Sequence, residues 1–270
     1  MARLLSISLC AILLVVACGP NGDDDGGDQS VPEVVALLQS QTPDRAIDVV
    51  FVAEEEYGDL TDIENRLNFL DDLGPLISDG FWENEGISGN HQLFNFWYLI
   101  ATADLPTGAM KPCITAEWPD LTVAAFADVY ILVHAEEMRD CRSGRKATTE
   151  PNSYRTVVHE FSHAAFGLPD EYNGAGRYWS SPPVIYEFEE DCRGDPFNSD
   201  WRDCATLTER DGDVWWRSEG SHCDIMRCPG AEVFEYGPGD WITVRAMLAA
   251  LGAGPVLDPT TYAPDSWDAP

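Results

Sequence analysis

Residues 159–172 read HEFSHAAFGLPDEY, and this segment constrains the fold more than any other part of the chain. The spacing H-E-x-x-H on a helix places two imidazoles one turn apart on the same face, where both can bind one Zn²⁺. The sequence therefore predicts that His159 and His163 are zinc ligands. Glu160 is then placed beside the open coordination position of the metal, as the general base that acts on zinc-activated water.

The bounds of the motif helix are predicted from the residues that flank it. Apolar side chains recur at helical spacing over residues 157–165, and Ser153, or alternatively Asn152, can cap the N-terminus. Gly167 favours a left-handed stop, and the proline that follows prevents the helix from continuing. From Thr156 to Phe166, Glu160 is the only charged side chain apart from the histidines. Such a polar set on an apolar helix needs a partner, and a metal ion is one.

The third ligand is predicted among the carboxylates and histidines outside the helix. Asp170 is the preferred candidate, because the chain turns back at the glycine and presents it to the histidines. Glu171 is the neighbouring alternative, and His222 is another because it lies just before a second motif. Glu187 and Asp191 have the E-x-x-x-D spacing that is typical of thermolysin-like enzymes, although their segment is poorly helical.

Residues 1–18 have the pattern of an export signal. Arg3 precedes an apolar run, residues 4–16, that is too short to span a bilayer. The run ends in a sequence that resembles the lipobox of bacterial lipoproteins, so Cys18 is expected to be the lipidated first residue of the mature protein. The alternative is an ordinary signal peptide cut near Ala17. The first reading predicts a cell-envelope lipoprotein that is anchored to a membrane without spanning it, and the second predicts a secreted protein.

Composition restricts the partners. The chain has 47 acidic and 16 basic residues and a net charge of −31, which repels phosphate backbones and disfavours nucleic-acid binding. A solvated acidic exterior is the simplest interpretation of this charge, and a field that attracts cationic substrates is the alternative.

The expected export bears on the state of the cysteines, because exported proteins fold in an oxidising compartment. Without Cys10 and Cys18, six cysteines remain, and an even number in an oxidising compartment favours three disulfides. Pairing of sequence neighbours would join Cys113 to Cys141, Cys192 to Cys204 and Cys223 to Cys228. Six cysteines allow fifteen connectivities. A structural zinc site is disfavoured because the chain has no C-x-x-C pair.

The remaining segments predict one domain over residues 43–254. Residues 19–42 are expected to be a flexible acidic tether, with a short helical pattern over 31–41, and residues 255–270 a tail. Strands are predicted over Ala46–Ala53, Leu93–Ala101 and Val123–His134, particularly Asp128–His134. An irregular disulfide-held region is predicted over residues 174–230, and a closing helix over Trp241–Leu251. Strands followed by the motif helix indicate an α/β fold, with α+β as the alternative.

Several segments together resemble the bacterial IgA peptidases, a family of metzincin-like zinc endopeptidases. The segment 159–172 is similar to the family's H-E-F-G-H motif and the Gly-Leu-x-Asp-Glu-Tyr sequence after it. DVVF at 48–51 and FNFW at 94–97 are similar to its first two strands. CDIMR at 223–227 is similar to its C-x-x-M segment, so Met226 is expected in the Met-turn beneath the zinc.

The sequence also departs from the family's pattern in two places. EEEY at 54–57 replaces a Gly-Asp-Gly-Tyr-like turn, and RSGRK at 142–146 replaces a glycine-rich segment. Both segments are where the family would hold its substrate, so the departures bear on substrate range more than on metal chemistry.

The resemblance implies a metzincin-like catalytic domain with one catalytic Zn²⁺ that hydrolyses peptide bonds. A protein or peptide substrate, a monomeric state and a membrane contact through the lipid anchor alone are expected. Tyr172 or Tyr236 is expected to help the zinc stabilise the oxyanion. The alternative function is that of a non-catalytic, metal-stabilised adhesion or binding domain, which would not need Glu160 as a base.

Overall fold

A computed structural model describes residues 33–135, 138–175, 179–196, 204–218, 223–228 and 233–260. The expected export signal, Cys18 and the alternative ligand His222 lie outside these residues. Within the described ranges, no helix has both the length and the apolar character that crossing a membrane requires.

A six-stranded mixed sheet forms the centre of the domain, in the order β1-β3-β2-β4-β6-β5. The strands are β1 (Glu33–Leu38), β2 (Ile47–Glu54), β3 (Phe94–Ala103), β4 (Val129–Val133), β5 (Arg142–Ser143) and β6 (Lys146–Thr149). The four inner strands are parallel to one another, whereas β1 and β5 are antiparallel edge strands. The fold is therefore mixed α/β, and the three strands predicted from apolar runs are confirmed as β2, β3 and β4.

Strand β2 explains why an uninterrupted apolar run marks the middle of the sheet. All eight of its residues are buried. Val49 and Phe51 point into the larger core, and Val50 and Val52 point into a smaller core on the opposite face. A strand that is covered on both faces has no solvent side, so it lacks the polar alternation of a surface strand.

Six α-helices accompany the sheet within the described residues. They are α1 (Ile63–Pro75), α2 (Glu85–Ser88), α3 (Pro112–Thr115), α4 (Tyr154–Phe166), α5 (Glu189–Gly194) and α6 (Pro238–Ala250). A π-helical turn at Leu76–Gly80 and five 3-10 turns complete the list: Pro43–Arg45, Glu55–Tyr57, Phe81–Glu83, His91–Leu93 and Thr122–Ala124. Helices α1, α4 and α6 contribute to the larger core on one face of the sheet. The predicted motif helix and closing helix are thus present as α4 and α6.

The helical pattern expected over 31–41 is wrong, because residues 33–38 form strand β1. Val35 and Leu37 pack on the larger core and Val34 packs on the smaller one, which is the alternation of a strand between two layers. Its backbone pairs with β3, a partner more than 50 residues away that no local pattern reveals. The segment expected to be a tether up to residue 42 therefore includes a strand of the domain.

The region expected to be irregular, residues 174–230, contains a second sheet. It consists of β7 (Ile185–Tyr186), β8 (Cys204–Thr208) and β9 (Val214–Ser218), in the antiparallel order β7-β9-β8. The expectation of loops alone is wrong here because β7 is very short and a long connection separates it from β8. The expected disulfides are confirmed: Cys113–Cys141, Cys192–Cys204 and Cys223–Cys228.

The first residues of the expected tail are docked on the domain. Leu257 exchanges two backbone hydrogen bonds with the Asn90 side chain, at 2.7 and 2.8 Å. The indole of Trp241 donates to Asp258 at 2.9 Å. The chain therefore remains part of the domain as far as residue 260, beyond the boundary expected at residue 254.

Candidate metal centre

Helix α4 carries the motif between the sheet and α6. Val158 and Phe161 are fully buried in the larger core, and this fixes which face of the helix turns away from it. Ser153 is the N-cap residue, but its hydroxyl donates to the Glu150 carboxylate at 2.8 Å and makes no capping bond. The capping role expected for its side chain is therefore wrong.

Helix α4 ends where the sequence predicts. Gly167 has φ of +66°, a left-handed conformation that glycine adopts without a Cβ penalty. The chain then reverses, and the Leu168 amide donates to the Ser162 carbonyl at 3.4 Å. Leu168 is fully buried, so it fixes the reversed segment against the domain. Pro169 and Asp170 follow, and this reversal returns Asp170 to the face of α4 that bears the histidines.

Three side-chain atoms converge at this point. His159 Nε2 and His163 Nε2 are 3.1 Å apart, and Asp170 Oδ1 is 3.2 Å from the first and 3.3 Å from the second. The structure thus brings together the two predicted histidines and the preferred third residue. The site is mostly enclosed, because the side chains of His159, His163 and Asp170 are 12%, 9% and 21% exposed.

Backbone carbonyls orient both imidazoles. His159 Nδ1 lies 3.0 Å from the Ile225 carbonyl oxygen, and His163 Nδ1 lies 2.5 Å from that of Leu168. A carbonyl oxygen only accepts, so each Nδ1 is the protonated nitrogen and each Nε2 of a neutral ring carries a lone pair. Two lone pairs and a carboxylate oxygen then face one another, and a cation between them would satisfy all three atoms.

The spacing of the three atoms fits a zinc ion. Bonds of about 2.0–2.1 Å in a tetrahedral arrangement separate two ligand atoms by about 3.3 Å. Asp170 Oδ1 is buried and accepts no hydrogen bond from a donor within the described residues, so an ion would satisfy it. Two imidazoles and one carboxylate, with a fourth position left open, form a ligand set typical of catalytic zinc.

The ionisation of His163 and Asp170 follows their surroundings. Burial lowers the pKa of His163, but contact with the Asp170 carboxylate, the Glu160 charge and the Leu168 carbonyl together raise it overall. Burial would raise the pKa of Asp170, yet its contacts with both histidines, and their charges, hold that pKa well below its usual range. Asp170 is therefore ionised at neutral pH, as a metal ligand must be.

Glu160 lies beside these groups in a nearly dry environment. Its side chain is buried, and this burial raises the pKa of its carboxyl against the lowering effect of His163 and His159. Arg142 is a further positive charge that acts on this carboxyl. A carboxylate with a raised pKa next to a metal site is well suited to accept and return a proton near neutral pH.

Glu171 has different neighbours from Asp170. It lies within a buried group of three carboxylates with Asp224 and Asp240, away from the histidine pair. Burial, together with the Asp224 charge, raises the pKa of Glu171 to about 8. Its amide donates to the Met226 carbonyl at 3.0 Å, and its carbonyl accepts from the Arg217 guanidinium. Glu171 therefore joins the segment after Asp170 to the loop that contains Met226.

The remaining alternative ligands do not approach the histidines within the described part of the chain. Glu187 and Asp191 are exposed and belong to none of the described groups that could hold a metal ion. The alternative that they complete the site is therefore wrong. Another described group, His134, Asp140 and Glu150, lies at the ends of β4 and β6. There the His134 ring is hydrogen-bonded to Asp140 at 2.9 Å.

Met226 is fully buried in the larger core, on the loop that the Cys223–Cys228 disulfide closes. Asp224 Oδ1 accepts from the Met226 amide at 2.9 Å and from the Arg227 amide at 2.8 Å, which folds the loop tightly. The preceding carbonyl, that of Ile225, orients His159. The loop therefore supports the site through its backbone as well as through its buried side chain.

Some supporting residues could not be predicted from sequence. Arg155 donates from its guanidinium to the Ile225 and Val233 carbonyls, and so anchors the loop to α4. Tyr236 is buried and its hydroxyl pairs with Ser162 at 2.8 Å, so the oxyanion role expected for it is wrong. Tyr172 is the tyrosine whose hydroxyl contacts Asp170. The sequence feature that could have indicated a supporting role for Arg155 is its position as a lone arginine in the first turn of an apolar helix.

Comparisons with known proteins assign this chain to no family. No protein-family profile matches the chain, and no curated protein matches it either.

Proposed function

We propose that the protein is an exported, metzincin-like zinc metalloendopeptidase. The observation that carries the proposal is the convergence of His159 Nε2, His163 Nε2 and Asp170 Oδ1 within 3.1–3.3 Å, beside the buried carboxyl of Glu160. A structural metal site has four protein ligands and no general base, whereas three ligands and an adjacent glutamate are typical of hydrolytic sites.

In this proposal, each residue has a separate task. His159, His163 and Asp170 would hold the zinc, which supplies a Lewis acid that polarises the scissile carbonyl and acidifies water. Glu160 accepts a proton from the attacking water and then donates it to the amine of the leaving peptide fragment. The Ile225 and Leu168 carbonyls keep both imidazoles in the tautomer that leaves Nε2 free.

The proposed location is the cell envelope, through a lipid on Cys18, or the exterior if Cys18 is unmodified. Three disulfides support an oxidising compartment, because such bonds persist in exported proteins and are rare in the cytosol. Mass spectrometry of the mature N-terminus would identify the lipid, and an unmodified Cys18 would refute the anchor.

The test is the substitution Glu160→Gln in the zinc-loaded protein. The amide is nearly the same size as the carboxyl but cannot accept the proton, so we expect peptide cleavage to fall by about 10²–10⁴-fold. Zinc content should stay near that of the wild type, because Glu160 is not a ligand in this arrangement. Cleavage is measured on casein-derived peptides and zinc by elemental analysis.

Glu187→Gln is the matched control, since this exposed carboxylate belongs to none of the described metal-binding groups. It should leave both zinc content and cleavage unchanged. Equal cleavage by the wild type and the Glu160 variant would refute the mechanism. A zinc-loaded wild type that cleaves no peptide would favour the adhesion alternative.

A further inference from the structure

The edge strand β5 places an arginine next to the candidate metal centre. Arg142 lies in β5 and pairs with Ala147 of β6, and β5 packs against helix α4. The residue before it, Cys141, is held by a disulfide to Cys113, so the start of the strand is fixed. Helix α4 carries His159 and His163, so Arg142 lies on a strand that packs against the helix of the candidate metal centre.

Trp179 holds the guanidinium in place. The Cζ atom of Arg142 lies 5.1 Å from the centroid of the Trp179 ring, within the range of a cation–π contact. The same indole donates to the Gly167 carbonyl at 3.2 Å, and its ring centroid is 6.5 Å from that of His163. The arginine is therefore stacked on a side chain that is itself fixed to the end of the metal-binding helix.

The donors of Arg142 have no partner within the described residues. Its guanidinium makes no ion pair and no side-chain hydrogen bond there, and its ring contact with Trp179 uses only the face of the group. By contrast, Arg193 pairs with Glu189 and Arg245 pairs with Asp258. The half-buried Arg66 and Arg155 pair with no described carboxylate either, but both donate to backbone carbonyl oxygens, which Arg142 does not do within the described residues.

We propose that Arg142 is a specificity-determining residue that binds a carboxylate of the substrate next to the scissile bond. The planar guanidinium presents a fork of donors that matches a carboxylate in two parallel hydrogen bonds. Stacking on Trp179 orients this fork before substrate binds, so little side-chain freedom is lost on binding.

The proposed subsite binds a negatively charged group although the protein as a whole is strongly acidic. A net charge of −31 repels acidic peptides at long range, but salt screens exposed charges beyond about 8 Å at physiological ionic strength. Preference for a carboxylate therefore has to arise from direct contact, as a fixed arginine provides. This inference replaces the cationic-substrate interpretation of the net charge, and it rests on the proposed peptidase function.

The experiment compares peptides that differ only in glutamate or glutamine beside the scissile bond, with both termini blocked. The zinc-loaded wild type should have a kcat/KM about tenfold higher for the glutamate peptide, and Arg142→Gln should abolish this ratio. A change in Glu160 would affect both peptides equally and cancel in the ratio. A second pair, with neutral side chains and a free or amidated C-terminus, tells whether the carboxylate is a side chain or a chain end.

Arg145→Gln is the matched control, because Arg145 lies in the same hairpin and over an aromatic ring, Tyr130, at 5.7 Å. It should keep the ratio of the wild type. If Arg142→Gln fails to fold, Arg142→Lys takes its place in the test. Lysine keeps the charge but lacks the planar fork of donors, so this variant should retain a reduced preference for the glutamate peptide.

Binding to the Glu160→Gln variant separates the two hypotheses, since it needs no turnover. Fluorescence anisotropy should show tighter binding of the glutamate peptide, and this difference should be lost when Arg142→Gln is added. A glutamate-to-glutamine ratio that is the same with and without Arg142 would overturn the subsite, even where cleavage supports the peptidase. Absent cleavage together with a preference in binding that requires Arg142 would overturn the peptidase instead.

Discussion

At the scale of single residues, two adjacent carboxylates have opposite surroundings. Asp170 faces two imidazole nitrogens, which keep its pKa low. Glu171 lies with Asp224 and Asp240, and burial together with the Asp224 charge raises its pKa to about 8. One side chain is therefore ionised and suited to bind a cation, and the other takes up a proton readily. The sequence favours Asp170 through the turn at Gly167, but it does not reveal the carboxylates that surround Glu171.

This contrast predicts different effects of two conservative substitutions. Asp170→Asn should weaken zinc binding by more than about 100-fold, because the amide oxygen is a poor replacement for a charged ligand. Glu171→Gln should weaken it by about tenfold or less, through the supporting contacts alone. Competition with a zinc-binding dye measures both affinities, and the choice of Asp170 would fail if its variant bound zinc as tightly as the wild type.

At the scale of elements, the end of helix α4 sets the path to the third ligand. Gly167 has a positive φ, and a Cβ added there would meet nothing within 4 Å. A substitution is therefore penalised by backbone conformation and not by a clash. The fixed turn brings Leu168 and Asp170 to their positions next to the histidines, so strain at this glycine is transmitted to the site.

Gly167→Ala should lower the free energy of unfolding by about 1 kcal/mol, while Gly167→Asn should cost less because asparagine tolerates this conformation better. Urea denaturation of the zinc-free protein measures the difference. Gly194 also ends a helix and has open space around it, but its φ is not positive. Gly194→Ala should thus be close to neutral, and equal losses at Gly167 and Gly194 would contradict the explanation.

Elements with strong local signals could be predicted, and elements that depend on distant partners could not. The motif helix has its apolar spacing and its glycine stop within the segment itself, and β2 has an uninterrupted apolar run. The sequence of strand β1 predicts a helix because its apolar residues fit the spacing of a helix as well as that of a strand. Only the pairing with β3 determines that it is a strand. The contact between Arg142 and Trp179 could not be predicted for the same reason, because the two residues are 37 positions apart in the sequence.

At the scale of the whole molecule, β1 closes one edge of the main sheet. Its backbone pairs with β3, and the following residues Ser40 and Gln41 donate to the Asn95 side chain at 2.8 and 3.1 Å. Removal of β1 would expose the edge of β3 and the apolar side chains that Val35 and Leu37 cover.

A chain that begins at residue 43, the boundary expected from sequence, should therefore be about 2–4 kcal/mol less stable than one that begins at residue 33. Thermal unfolding of the two truncated proteins, both zinc-loaded, measures the difference. The same melting temperature in both would show that β1 contributes little to the domain.

The three disulfides have a simple arrangement along the chain. Their sequence separations are 28, 12 and 5 residues, and no loop encloses or crosses another. If the protein is exported as proposed and emerges with its N-terminus first, the first cysteine of each pair has its native partner as the next of these six to appear. An oxidase that joins cysteines in their order of emergence thus produces the native pairing directly, without the reshuffling that an isomerase provides.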